Sequence, residues 1–168
     1  MTRASQTLPL SHLLLVLAVV AVWGTNFVVI RVALEELPPL TFATLRYIFA
    51  LLPAVFLVRR PAVPWRMLAA YGVAIGFGQF GLLFIGTRDM LGFVIWASLF
   101  AIPPLLIGAL IAEGPARMAE SVSAASLATW GAVLWQALGN TLFGYSAWGW
   151  LLSRHPASTI APSAMLVP

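Results

Sequence analysis

The chain has 168 residues, 61% hydrophobic and 8% charged, with nine basic residues, five acids and a formal net charge of +4. A soluble domain of this size carries roughly 25% charged residues to keep a polar surface, so this composition excludes a water-soluble globule and requires lipid. A pI near 10.7 would suggest nucleic acid in a soluble protein. Here every basic residue is an arginine lying mostly between apolar runs, where it sets topology, and no nucleic-acid partner is expected.

Residues 13–30, 67–87, 91–112 and 121–153 contain no Asp, Glu, Lys or Arg, and about 20 such residues span a bilayer as a helix. In chain order the sequence predicts spans at residues 10–30, 40–58, 65–86 and 91–111. An amphipathic connector with Glu113, Arg117 and Glu120 follows over 113–126, and then a fifth span over 127–152. The apolar tail 160–168 stops after nine residues, roughly half the hydrocarbon thickness at 1.5 Å per residue. The predicted fold is therefore an all-α integral membrane protein of about five transmembrane helices plus a partial sixth. A cleavable signal peptide is the competing reading of the N-terminus, but the apolar run continues through Phe27 to Ile30 without a convincing cleavage site.

Charge orients the first half. Arg3 and the Arg59, Arg60 and Arg66 loop fall on one side, the cytoplasm, and Glu35 and Glu36 face outward. Counting five spans onward places the acidic connector inside and Arg154 with His155 outside, against that preference. Phe77-Gly78 before Arg88 is echoed by Phe143-Gly144 before Arg154; inverted repeats would put such equivalents on opposite faces, whereas two intervening spans put them on one.

Trp23-Gly24-Thr25-Asn26-Phe27, Arg31, Leu37-Pro38-Pro39-Leu40, Leu45-Arg46-Tyr47 and Tyr71-Gly72 through Gln79-Phe80 resemble the opening of EamA-type transporters of the drug/metabolite transporter superfamily. They are most similar to bacterial inner-membrane exporters of O-acetylserine and cysteine. Residues 92–99, Gly144-Tyr145 with Trp148, and Ala161-Pro162 up to Pro168 resemble the second half of the same proteins. The family pattern is ten spans in two inverted five-helix repeats. The resemblance implies that residues 1–90 correspond to helices one to three, and 91–168 to helices seven, eight and the start of nine. The chain is then an internally deleted, C-terminally truncated member. Losing three spans, an odd number, would invert everything downstream and explain the charge conflict at Arg154.

Arg46 is the most informative residue for transport, because a charge at mid-span costs about 2.5–3.5 kcal/mol on insertion scales. It either anchors an anionic or zwitterionic solute, or snorkels outward and pairs with Glu35 or Glu36. Trp23 and Asn26 share one face of the first helix, an aromatic plate beside an amide that would suit an amino-acid-like solute. Asn26, Gln79 and Asn140 serve equally as interhelical hydrogen-bonding groups, worth about 0.6 kcal/mol each in membranes. Tyr145 and Trp148 complete the solute-path candidates on the last span, with an interfacial aromatic belt as the alternative for tryptophans near its ends. Gly72-x-x-x-Gly76 signals close helix contact.

None of the five acids lies deep in a span, so no intramembrane carboxylate relay is available. No nucleophile–base pair sits at membrane depth, and no phosphate loop or metal-ligand cluster is present. No enzyme activity, cofactor or metal is expected. The expected function, implied by the resemblance, is efflux of small amino-acid-related metabolites such as cysteine or O-acetylserine across the bacterial inner membrane, as a multi-pass protein. The alternative is a membrane fragment that does not transport; a homodimer would restore ten helices.

Overall fold

The structure, a computed structural model, describes residues 8–59, 61–77 and 90–167. Among these residues every regular element is helical, so the all-α reading holds. α1 (Leu10–Gly24) and α2 (Asn26–Leu34) form one 25-residue span interrupted at Thr25. The Thr25 hydroxyl donates to the carbonyls of Ala21 and Val22, both at 3.0 Å, a back-bond that commonly bends a helix. Leu14, Leu17, Phe27 and Val28 stay exposed along this span, as befits a surface that lipid rather than water must cover.

α3 (Pro39–Leu57) starts with Pro39 in its first turn, where the missing N–H is no loss. It packs along α5 (Met90–Ala112), with Tyr47 against Ala101 and Leu105, and Leu51 and Ala54 against Ile95. The register shows the two helices to be antiparallel. Ala97, Ala101 and Ala109 are fully buried on α5, small residues of the kind that let membrane helices approach closely. At one end the Trp96 indole donates to the Val58 carbonyl at 3.2 Å, closing the C-terminus of α3. At the other, Glu113 accepts from the backbone N–H groups of Leu40 (2.6 Å) and Thr41 (2.9 Å) and from the Thr41 hydroxyl (2.6 Å). The carboxylate thus caps the first turn of α3 from the end of α5, satisfying donors that no helix can satisfy itself.

α4 (Trp65–Phe77) lies against α5 at the Val58 end, through Leu68 and Tyr71 packed on Ala97. Gly72 makes this contact possible, because a Cβ there would overlap the Ala97 carbonyl oxygen and crowd Phe100. Its partner in the helix-contact pattern, Gly76, has no described side-chain environment.

After the connector α6 (Pro115–Ala124), the last span runs without a break through α7 (Leu127–Leu134), a π-helical segment (Trp135–Phe143) and α8 (Gly144–Arg154). It lies antiparallel to α1 and α2: Ala33 packs with Ala132 and Val133, Val16 and Val19 with Trp148 and Leu151, and His12 meets His155. α9 (Ala157–Ile160) and a short 3₁₀ turn (Ala161–Leu166) fold back onto α1.

These contacts fix which helix ends share a face, and they place the connector and Arg154 opposite to where counting five spans puts them. Glu36 accepts from the Ser126 N–H (2.6 Å) and the Thr129 hydroxyl (2.7 Å), and Glu113 caps Leu40. The connector 113–126 therefore shares a face with Glu35 and Glu36, while His155 shares the opposite face with His12. Among the described residues the chain makes four traverses, at 10–34, 39–57, 90–112 and 127–154. α5 starts on the face where α3 ends. Arg154 and the Arg59 loop then lie together, and the acidic connector lies with the acidic loop, which is the arrangement charge preference asks for. Helices α1–α2, α3 and residues 94–112 of α5 are long and apolar enough to cross a membrane. The last span is continuous but more polar along its interior face.

Candidate functional site

The interior face of residues 127–154 carries the polar side chains that most membrane helices avoid. Thr129, Gln136, Asn140 and Thr141 are all buried, Gln136 completely. Leu134, Trp135 and Leu138 point the other way and stay exposed, lining a shallow groove with Gly131 and Gly139 on the apolar side of the helix. The polar cluster thus faces protein and the groove faces lipid.

Local backbone geometry makes this cluster possible. A π-helix bonds i to i+5 and so widens its turn, and the Thr141 hydroxyl donates to the Gln136 carbonyl five residues back at 2.9 Å. The Asn140 carbonyl accepts from the Trp23 indole at 3.3 Å. Trp23 lies across the start of α8, 5.9 Å from the Tyr145 ring and 5.3 Å from the Trp148 ring. Gly144 leaves room for it, since a Cβ would collide with the indole nitrogen. Next to this aromatic group the Gln136 amide nitrogen donates to the Asn26 side-chain oxygen. Both exposed backbone and buried amides are tolerated at membrane depth only where protein covers them.

Five of the residues singled out from sequence, Trp23, Asn26, Asn140, Tyr145 and Trp148, therefore converge between the first and last spans. Arg46 stands on α3 in the stripe of Phe42 and Phe49, whose side chains pack on α7. It is half-buried, with its guanidinium carbon 4.5 Å from the ring centre of its neighbour Tyr47. Its Nε has no hydrogen-bond partner among the described residues. Pairing with Glu36 is not what the structure shows: that carboxylate is engaged by Ser126 and Thr129, whose donors hold its pKa below the usual 4.5. Gln79 lies outside the described residues. Gln136 was not among the sequence candidates, although it stands four residues before Asn140; what distinguishes it, complete burial and an unmatched Oε1, belongs to the packed structure.

Residues 10–90 match the EamA-like transporter family. Over those residues, just under half of its length, the chain is similar to that family. It is similar to the probable amino-acid metabolite efflux pump of Escherichia coli strain K12, 29% identical over 92% of this chain and 82% of that protein. The protein of the same description from Salmonella typhimurium strain LT2 is 27% identical over the same shares. Both alignments run over 245 positions, more than the 168 residues available here, so each must step over a stretch of the relative that this chain lacks. No solved structure matches the chain. These likenesses, with the long apolar helices, support a multi-pass membrane protein with a transporter role. The family is one of transporters rather than enzymes, and among the described residues no group of three metal-ligating side chains occurs.

Proposed function

We propose that the chain exports a small amino-acid-related solute, of the size and polarity of cysteine or O-acetylserine, across the bacterial inner membrane. The path runs past Trp23, Asn26, Asn140, Tyr145 and Trp148, with Arg46 as the anchor for the solute's carboxylate and Gln79 on the third segment. The observation that carries this reading is the convergence of Trp23 and Asn26 with the π segment. Two helices far apart in sequence place amides, a released carbonyl and three aromatic rings in one water-poor interior, where polar groups are expensive and mark a solute route. Arg46 adds the fixed positive charge that a carboxylate needs, and its Nε, without a hydrogen-bond partner among the described residues, is a donor available to one.

Expression in a strain that accumulates cysteine tests the proposal directly. Amino acid appearing outside the cells faster than in a vector control, and returning to the control rate with Arg46→Ala, supports it. Equal rates in all three strains overturn it.

A second reading rests on the alignments that outrun the chain. Residues 1–90 as helices one to three and 91–168 as helices seven, eight and the start of nine would be a compressed member, in which a second copy supplies the remaining helices or no transport occurs. Native mass determination in detergent separates these: a dimer with efflux supports assembly from two copies, and a monomer without efflux supports the non-transporting fragment.

A further inference from the structure

Gln136 is the most completely enclosed large polar side chain among the described residues, with no exposure at all. Its amide nitrogen is engaged by Asn26, while Oε1 has no partner among the described residues. An unmatched acceptor in a membrane interior carries the full desolvation cost of the group, and a leucine of similar size would avoid that cost. Buried polar groups are matched so generally that each exception asks for a reason. Packing does not supply one: the adjoining turns are held by Ala132, Val133 and Ala137, which are apolar and buried, and Asn26 requires only the nitrogen.

We infer that Gln136 is the residue that recognises the amino group of the solute, with Oε1 as acceptor for its ammonium N–H and Asn26 as the positioning residue that fixes the amide's orientation. This rests on the transport reading and extends it to a residue which that reading does not use. α3 packs along the π segment, so the helix bearing the unpartnered Arg46 Nε adjoins the helix bearing the unpartnered Gln136 Oε1. One unmatched cationic donor and one unmatched neutral acceptor complement a zwitterion, carboxylate to the first and ammonium to the second. The rings of Trp23, Tyr145 and Trp148 stand on the same span pair and favour a cation near their faces. Solute binding to Oε1 removes a penalty already present, and solutes lacking the amino group gain nothing from it.

The test compares L-cysteine with 3-mercaptopropionate, which keeps thiol and carboxylate and replaces the ammonium by hydrogen. Purified full-length chain in proteoliposomes, under reducing conditions, should move cysteine at least about tenfold faster than 3-mercaptopropionate, the factor expected for one charge-assisted hydrogen bond. Gln136→Leu should bring the two rates together by slowing cysteine and leaving 3-mercaptopropionate unchanged, a change in selectivity that general loosening would not give. Gln136→Glu, which keeps an acceptor, should retain the preference and remains informative if the leucine variant does not fold. An unchanged ratio in a monodisperse Gln136→Leu protein overturns the inference, as does loss of the preference in Gln136→Glu, the result expected if the amide instead presents its nitrogen. If the parent chain moves neither solute, the transport reading fails separately, and solute-dependent quenching of tryptophan fluorescence decides the inference. Saturable quenching by cysteine that is absent in Gln136→Leu sustains it, and no quenching in the parent overturns it.

Discussion

The imidazoles of His12 and His155, 143 residues apart in the chain, meet Nδ1 to Nε2 at 2.7 Å. His12 also stands edge-on to Trp150, 4.9 Å between centres, and Arg154 lies over the Trp150 ring with its guanidinium carbon 4.2 Å from the ring centre. The beginning of the first span and the end of the last are thereby joined at one membrane face. Since α1–α2 and residues 127–154 each cross once, the segments between them must cross an even number of times.

That parity gives a direct topological prediction. The chain has no cysteine, so single cysteines at Ser123, in the exposed connector α6, and at Ser158, beyond Arg154, report separately. On intact cells a membrane-impermeant thiol reagent should label Ser123→Cys and spare Ser158→Cys, which should react only after lysis. The opposite pattern would restore the five-crossing count and contradict the pairing of His12 with His155.

Gly144→Ala should disturb Trp23 specifically. The added methyl occupies the indole's position, so the bond from Trp23 to the Asn140 carbonyl is lost, at about 1 kcal/mol. Trp23→Phe removes the same bond by another route. In detergent unfolding the double variant should therefore cost clearly less than the two single costs added together, the signature of residues that share one interaction. Additive costs would show that the contact is not made.

Gly72→Ala should weaken the seating of α4 on α5 by about 1–3 kcal/mol, the range for forcing a methylene into packed space. The obstructing atom is the backbone oxygen of Ala97, which cannot swing aside as a side chain can. Gly131→Ala is the control, because nothing lies near its Cβ position, and its effect should stay within about 0.5 kcal/mol. Chemical unfolding of both variants measures the contrast.

Glu36 predicts a pH dependence of definite sign. Its carboxylate accepts first from the Ser126 N–H and then from the Thr129 hydroxyl, which lowers its pKa from the usual 4.5. A group with a depressed folded pKa stabilises the fold fully above its unfolded value and loses that contribution as pH falls through the lower folded value. The thermal midpoint of Glu36→Gln should thus lie below the parent's at pH 7, and the two should converge below pH 4.5. Curves that stay parallel down to acid pH would remove the carboxylate from any role in holding α7.

The spans were legible in the sequence because long stretches without charge are too apolar to be stable anywhere but in lipid. Trp23, Asn26, Asn140, Tyr145 and Trp148 were legible one by one, as polar or aromatic groups in apolar runs. That these residues meet was not legible. Which helices adjoin is a matter of pairing between distant segments, and two helices carrying an amide each look alike whether they touch or not. Gln136 was missed for that reason. The faces on which the helix ends lie were not legible either: α4 is apolar enough to read as a span, but which ends share a face depends on where distant neighbours hold them. Trp96 on Val58, Glu113 on Leu40 and Glu36 on Ser126 are tertiary bonds, and no window of sequence contains both partners of any of them.

The wide turn at Trp135–Phe143 also determines how the gene can be edited. A π stretch is an extra residue absorbed without breaking the axis of a helix, so removing one residue within it allows ordinary α turns to close. The wide turn already absorbs that residue, so the α segments on either side would keep their faces, whereas the same deletion in a regular α stretch before Trp148 takes out a step of about 100° and turns everything beyond it. Trp148 and Leu151 would swing off α1, and His155 would leave His12. Substitutions along this span are local events, and so is the loss of a single codon within the π stretch; the loss of one in the regular turns on either side is a rotation of all that follows.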